Sequence, residues 1–254
     1  MKKLLAITAL SAALFFGQTA VAEEKAAEEV KPSHVEMVLV LDESGSMSDL
    51  THDTIGGFNS MIEKEKKLDV DAHVTTVLFN DQYKMLYNRR ELKDVSKMTD
   101  KDYTPGGMTA LLDAVGRTIH KMDMVAGIHR KDKGNKVLFV IITDGEENDS
   151  KEYTYADVKK LIKDRQENAG WEFIFLGANI DAAAAAENLG IDRDRAVKYK
   201  NTGSGVRANF KAVAELSDSL AKSGRVSDRW KETVEKDEDD AADKQSAAVT
   251  SHRR

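Results

Sequence analysis

The stretch Val38-Leu39-Val40-Leu41-Asp42-Glu43-Ser44-Gly45-Ser46 is an apolar run that stops on a carboxylate and two hydroxyls. From Val35 to Leu41 the one polar residue is Glu36, the pattern of a strand covered on both faces in a parallel sheet. Asp42, Ser44 and Ser46 then place three oxygen side chains in a tight turn, with Gly45 expected to let the backbone bend. Such a grouping is costly in a core, where polar groups need partners. It suits a hard cation, which takes oxygen ligands.

A second run of the same kind lies downstream. Lys136 to Ile142 is apolar after its first residue and ends on Thr143-Asp144-Gly145. Between the two strands, Thr104-Pro105-Gly106-Gly107-Met108-Thr109 is a glycine-rich loop leading into a helix, with Thr109 expected at the helix start. In open parallel sheets, ligands bind beyond the carboxyl ends of strands where the strand order reverses. Each piece alone has a plainer reading. Asp42, Ser44 and Ser46 could cap a helix, and Thr143-Asp144-Gly145 could be an ordinary strand-end turn. Their co-occurrence with Thr109 favours one shared metal site made of Asp42, Ser44, Ser46, Thr109 and Asp144.

Working outward, Asp53 or Thr54 is expected to cap a helix that carries Ile55, Phe58 and Ile62 and ends near Lys67. Asp71 to Phe79 reads as a strand, and Tyr83 to Tyr87 as a short strand too close for a crossover, hence antiparallel. Leu111, Val115, Ile119 and Met122 mark an amphipathic helix, followed by a polar loop from Ala126 to Asn135. Thr154-x-x-Asp157 is a capping box ahead of Val158, Leu161 and Ile162. Trp171 to Leu176 is a strand, Asp181 to Leu189 an alanine-rich helix and Ala196 to Tyr199 an edge strand. A last helix carries Phe210, Val213, Leu216 and Leu220. Strands alternating with helices predict a doubly wound α/β domain over residues 35–223.

The flanks differ in composition. Lys2 and Lys3 precede the apolar run Leu4 to Phe16, and Ala20-Val21-Ala22 offers a small-residue cleavage site. This reads as a secretory signal over residues 1–22, because the apolar run is shorter than the roughly 20 residues that span a bilayer. Cleavage near Ala22 would leave an exported protein, periplasmic or secreted, with no later segment apolar enough to cross a membrane. Residues 23–34 are a polar linker, and residues 224–254, with Asp237-Glu238-Asp239-Asp240, read as an acidic disordered tail.

Composition limits the chemistry. Of 254 residues, 41% are apolar, enough for a core, and the net charge of −6 with no basic stripe argues against nucleic acid. The absence of cysteine excludes disulfides and thiol chemistry. Glu146, Glu147, Asn148 and Asp149 read as an exposed acidic loop rather than a second cation site. Asp113 could orient a hydroxyl or water near Thr109, or simply suit a helix start. His52 reads as a loop residue, and His73 and His120 as packed or surface residues. Gly203-Ser204-Gly205 lacks the strand context of a nucleotide loop, no Walker sequence occurs, and Ser44 lacks the glycines of a nucleophile elbow.

The pattern Asp42-x-Ser44-x-Ser46, then Thr109 after a Gly-Gly pair, then Thr143-Asp144-Gly145 resembles the metal-ion-dependent adhesion site of von Willebrand factor type A domains. Further stretches look like a group of stand-alone bacterial members of that family. They are Asp53-Thr54-Ile55-Gly56-Gly57-Phe58-Asn59-Ser60-Met61, Thr109-Ala110-Leu111-Leu112-Asp113-Ala114 and Gly170-Trp171-Glu172-Phe173-Ile174-Phe175-Leu176-Gly177-Ala178-Asn179-Ile180. The resemblance covers about Val35 to Leu220. It implies a Rossmann-like, mostly parallel six-stranded sheet of order 3-2-1-4-5-6, with one antiparallel edge strand and helices on both faces. It also implies Mg²⁺, with Mn²⁺ or Ca²⁺ as alternatives, held by Asp42, Ser44, Ser46 and Thr109, with Asp144 acting through water. The ion would grip an acidic residue of a protein partner, a binding role without catalysis. The signal-like amino terminus and acidic tail depart from many stand-alone members and point to an exported role rather than a cytoplasmic one. A metal-dependent phosphate-ester hydrolase is the alternative, but the motif contains no evident general base and no Asp-x-Asp nucleophile.

Overall fold

Val35 to Leu41 is buried along its whole length, so the strand it forms must be covered on both faces and flanked on both edges. A computed structural model of the chain describes residues 34–67, 71–125, 135–227 and 229–237. The expected signal, most of the linker, most of the loop after residue 125 and the last part of the acidic tail lie outside these residues.

Among the described residues, six strands and five α-helices follow one another: β1 (His34–Asp42), α1 (Thr51–Glu65), β2 (Ala72–Phe79), β3 (Tyr83–Glu91), α2 (Leu111–Asp123), β4 (Asn135–Thr143), α3 (Tyr155–Asp164), β5 (Glu172–Gly177), α4 (Ala182–Leu189), β6 (Ala196–Lys198) and α5 (Gly203–Ser223). The sheet order is β3-β2-β1-β4-β5-β6, with β3 antiparallel and every other pairing parallel. β1 lies at the centre, hydrogen-bonded to β2 and β4. The order reverses there, because the chain first builds outward through β2 and β3 and then returns to add β4 on the other side. The crevice at the carboxyl ends of β1 and β4 is therefore the switch point at which such sheets bind ligands.

Alternation along β1 feeds two cores. Val35, Met37, Leu39 and Leu41 pack with α1 and α5, including Phe58, Ile62, Phe210 and Leu216. Val38 and Val40 pack on the other face with Val115, Ile119 and Met122 of α2 and with Val158 and Ile162 of α3. The Thr154 capping box is present as expected: Thr154 accepts from the Asp157 N–H, and Asp157 accepts from the Thr154 N–H at 2.9 Å.

Several boundaries differ from the expectation. His34, assigned to the linker, opens β1, because its side chain is engaged by Glu36. A 3₁₀ turn over Gly45–Leu50 runs straight into α1, so neither Asp53 nor Thr54 caps that helix. Thr54 faces inward and is buried, while Asp53 pairs with Arg207 of α5. β3 continues to Glu91, four residues past Tyr87, by way of an irregular register against β2.

The carboxyl-terminal boundary is also displaced. Gly224 closes α5 in the left-handed conformation (φ 70°), but the core continues beyond Ser223. Val226, Trp230 and Val234 are buried in the cluster formed with α5 and β1, and Thr233 Oγ1 donates to Glu215 Oε2 at 2.9 Å. Their spacing of four residues gives this acidic segment one apolar edge, which its overall composition conceals. Trp230→Ala should lower unfolding stability by about 3–5 kcal/mol, the usual cost of removing a buried large aromatic side chain. Urea denaturation would measure it, and truncation after Arg229 should cost at least as much.

Between α1 and α5 lies a buried carboxyl group, Glu65, which accepts a hydrogen bond from Ser217. Burial pushes its pKa up to about 7, opposed by the Ser217 hydrogen bond and assisted by the charge of Asp218. With the folded-state pKa above the unfolded one, the stabilising contribution is complete below the ordinary carboxylate range and is lost as pH rises through about 7. The wild-type protein should lose about 2–3 kcal/mol between pH 5 and pH 8 from this group alone. Glu65→Gln should remove that slope, as chemical denaturation at the two pH values would show.

Candidate metal centre

β1 and β4 both end at the crevice, and each carries a buried aspartate there: Asp42 on the last residue of β1, and Asp144 immediately after β4. The polar turn after β1 links them. The Ser44 N–H donates to Asp42 Oδ1 at 2.7 Å, and Ser44 Oγ lies 3.0 Å from Ser46 Oγ. Ser46 Oγ in turn donates to Asp144 Oδ1 at 2.6 Å. Asp42, Ser44, Ser46 and Asp144 therefore form one continuous chain of contacts. Thr109 completes the group from the glycine-rich loop: its Oγ1 lies 3.7 Å from where a Cβ on Gly145 would stand. It sits two residues ahead of α2 rather than at its first residue, with Ala110 between.

Asp42 and Asp144 are held by neighbours that were not among the expected ligands. Thr143 Oγ1 donates to Asp42 Oδ2 at 2.5 Å, and the buried Tyr103 hydroxyl donates to the Asp42 carbonyl at 2.6 Å. Asn201 Nδ2 donates to Asp144 Oδ2 at 3.1 Å. Glu43, also buried, accepts from the Thr104 N–H, and its own carbonyl accepts from the Gly106 N–H at 2.9 Å. These contacts fasten the glycine-rich loop to the end of β1. Tyr103 and Asn201 carry no local sequence signal, because their partners lie 61 and 57 residues away.

The acidic loop after Asp144 is wired inward. Asn148 Oδ1 accepts from the Thr109 N–H at 2.8 Å, and the Asn148 N–H donates to the Thr109 carbonyl at 3.0 Å. Glu147 accepts from the N–H groups of Leu112, Asp149 and Ser150 and from Ser150 Oγ. Asp113 accepts from the N–H groups of Lys151, Glu152 and Tyr153. Asp113 lies in the first turn of α2, as the helix-start reading expected, and its carboxylate also anchors the loop of residues 151–153. Its pKa lies below the ordinary value, since those backbone donors outweigh burial. His52 is exposed in the first turn of α1, and His120 contacts Tyr153 on α2's outer side. His73 does not reach this site.

Gly45 keeps ordinary backbone angles and opens the 3₁₀ turn, whereas Gly107 adopts φ 75°. The bend that the motif requires is thus made in the second loop, not the first.

Two buried carboxylates, Asp42 and Asp144, are joined through Ser44 and Ser46. Burial raises the pKa of Asp42, the hydrogen bonds from Ser44 and Thr143 oppose it, and the charge of Asp144 raises it further. Among the described residues no Lys, Arg or His forms an ion pair with Asp42 or Asp144. Buried like charges without a counter-charge are unfavourable, and a bound divalent cation relieves them. The donors are carboxylate and hydroxyl oxygens with no sulfur or nitrogen, the set preferred by hard ions. The residues therefore fit a divalent metal.

A family model for the vWA-TerF-like domain, described as the vWA found in the TerF C terminus, matches residues 34–190. The chain belongs to this von Willebrand factor type A (vWA) family. No curated protein sequence matches it. Its vWA fold is shared with the vWF domain of the type V pili tip protein Mfa5 from Porphyromonas gingivalis, at 13% identity and TM-score 0.54, covering 78% of this chain and 99% of that one. A von Willebrand factor type A protein from Catenulispora acidiphila matches at 15% identity and TM-score 0.50, covering 72% and 42%. Proximal thread matrix protein 1 from the mussel byssus, in a form with a zinc-occupied MIDAS motif, matches at 13% identity and TM-score 0.50, covering 73% and 46%. The chain thus spans less than half the length of the latter two proteins.

Within this vWA domain, Gly107→Ala would place a Cβ against Asp81 Oδ1 in a left-handed conformation that costs a non-glycine residue about 1–2 kcal/mol. The variant should lose about that much stability or more by urea denaturation. Calorimetry should show weaker divalent-ion binding, since Thr109 lies two residues away.

Proposed function

We propose that the protein is an exported vWA module that binds a divalent cation, Mg²⁺ with Mn²⁺ or Ca²⁺ as alternatives, and uses it to bind an Asp or Glu of a protein partner. One observation carries this reading: two buried, uncompensated carboxylates, Asp42 and Asp144, joined through the hydroxyls of Ser44 and Ser46 at the switch point of the sheet. Asp42, Ser44, Ser46, Thr109 and Asp144 are the proposed ligands. A bound ion would supply positive charge that three neutral hydroxyls leave partly uncompensated, and a partner's carboxylate is the group such charge attracts.

The residues of the chain have separate tasks in this scheme. Thr143 and the Ser44 N–H orient Asp42, Asn201 orients Asp144, and Asn148 holds the Thr109 backbone. Asp42 is thereby engaged on both oxygens, which argues against a free general base and hence against the hydrolytic alternative. The signal-like residues 1–22 support export, and the presence of a pili tip protein among proteins of similar fold accords with a role outside the cytoplasm.

Thermal unfolding with and without Mg²⁺ tests the site. Saturation at about 100 times the dissociation constant should stabilise the wild-type protein by about 2.7 kcal/mol. Asp42→Ala should abolish that gain while the protein stays folded, and Ser44→Ala should weaken it, because water can replace one hydroxyl. Partner capture from the envelope or culture medium should depend on Mg²⁺ and fail with chelator or with Asp42→Ala. Metal-dependent capture that survived Asp42→Ala would overturn the reading. Amino-terminal sequencing of protein from the producing cell should give a mature start at Glu23.

A further inference from the structure

At the opposite end of β1, three side chains converge that the adhesion site does not use. His34 and Glu36 are two residues apart on β1 and so point to the same face, and Glu36 is in register with His73 on β2. Their ligand-type atoms form a small triangle. His34 Nε2 lies 2.8 Å from Glu36 Oε1 and 2.9 Å from His73 Nδ1, and His73 Nδ1 lies 3.4 Å from Glu36 Oε1. Glu36 is buried, while the two histidines are partly exposed, so the triangle opens toward solvent. Strand geometry puts this cluster roughly 20–26 Å from Asp42, at a rise of about 3.3 Å per residue.

We propose that His34, Glu36 and His73 form a second metal site, suited to Zn²⁺ or a similar nitrogen-binding divalent ion rather than to Mg²⁺. Four ligands at about 2.0–2.1 Å around a tetrahedral ion stand about 3.3 Å from one another, so the triangle already approximates one face of that tetrahedron. Two imidazoles and one carboxylate are a donor set that zinc accepts, with a fourth position left for water or an incoming group. The outer contacts are also those of a metal site. His34 Nδ1 lies 3.2 Å from Asp71 Oδ2, the carboxylate contact that fixes the ring of a metal-bound histidine. On binding, His34 keeps the Nδ1 proton on Asp71 and releases any Nε2 proton to solvent, and His73 presents Nδ1 as a lone pair.

Arg89 sits against the same atoms. Its Nε donates to Glu36 Oε1 and Oε2 at 3.0 and 3.1 Å, and its Nη2 contacts Glu36 Oε1 and lies 3.2 Å from His73 Nδ1. The guanidinium is thus the positive charge that now faces the triangle. It gets there through an irregular stretch of β3: between the pairs Val74↔Arg90 and Thr76↔Tyr87, Thr75 alone opposes Asn88 and Arg89. Arg89 adopts φ 46°, strained for a non-glycine residue, and its N–H donates to Thr75 Oγ1. Swinging Nη2 away while Nε stays on Oε2 would free Oε1 and His73 Nδ1 for the ion.

The test uses the full chain carrying Asp42→Ala, the substitution expected to abolish ion binding at the other end of β1, so that zinc there does not contribute. Calorimetry should find one equivalent of Zn²⁺ in that background. Replacing His34 or His73 by Gln should weaken it about 100-fold or more, given that even residues supporting a metal ligand cost 10–100-fold. Arg89→Ala should tighten zinc binding, since it removes the competing cation, a change in the direction opposite to that of a merely structural ion pair. Co²⁺ should give the visible absorption of a tetrahedral or five-coordinate nitrogen-ligated ion in the Asp42→Ala protein and lose it when His73→Gln is added. Circular dichroism would establish that each variant is folded. No zinc binding in Asp42→Ala, or binding unchanged by both histidine substitutions, would overturn the proposal. Because Mg²⁺ binding at Asp42 is read separately, either site can fail without the other.

Discussion

The constraint on which the rest of the structure depends is the burial of the Asp42 carboxylate at the end of a strand covered on both faces. A carboxylate so placed must have every lone pair answered, and the answers come from different parts of the chain: the Ser44 backbone and Thr143 at the end of β4. The Asp42 carbonyl is met by Tyr103 from the glycine-rich loop. Satisfying one acid group thus sets where β1 and β4 end relative to each other and how closely the loop approaches them. Leu41 and Ile142, the last paired residues before the acids, stay in register because both strands continue the same parallel ladder.

Glu36 and Asp42 lie on one face of the same strand, with the buried Val38 and Val40 between them. The chain has dealt with these two acids in opposite ways. Glu36 is met by Arg89 and two histidines, so its charge is balanced within the protein. Asp42 is met by neutral donors and is linked to a second acid, Asp144, through Ser44 and Ser46. In a medium of low polarity that difference decides where an external cation is most favourable. The same sheet therefore presents a hard, oxygen-lined site at its carboxyl end and a nitrogen-bearing, internally balanced cluster at its amino end.

The loops around the adhesion site are ordered by carboxylates acting on backbone rather than by hydrophobic contact. Glu147 and Asp113 each accept three backbone N–H groups, and Asn148 holds Thr109 from both sides. Charge-assisted bonds of this kind are among the stronger ones available to a surface loop. They place the Thr109 backbone through hydrogen bonds rather than apolar contact.

By itself, the sequence determined the alternation of strands and helices, the central strand and the residue types gathered at its end. Those features are local: apolar runs, spacing within a turn and a capping box are written in neighbouring residues. Asp42, Ser44, Ser46, Thr109 and Asp144 could be singled out as proposed ligands because each follows a recognisable strand or glycine-rich loop. Tyr103, Asn201 and Asn148 were not, since their roles depend on partners tens of residues away that only the folded sheet brings near. The acidic composition after Gly224 concealed Trp230 and Val234, whose burial is decided by the groove beside α5 and not by their neighbours in sequence. Likewise His34 and His73 read as unrelated residues until strand register set Glu36 beside His73 and the turn of β3 carried Arg89 across to them. Register is a property of paired strands, and no single strand contains it.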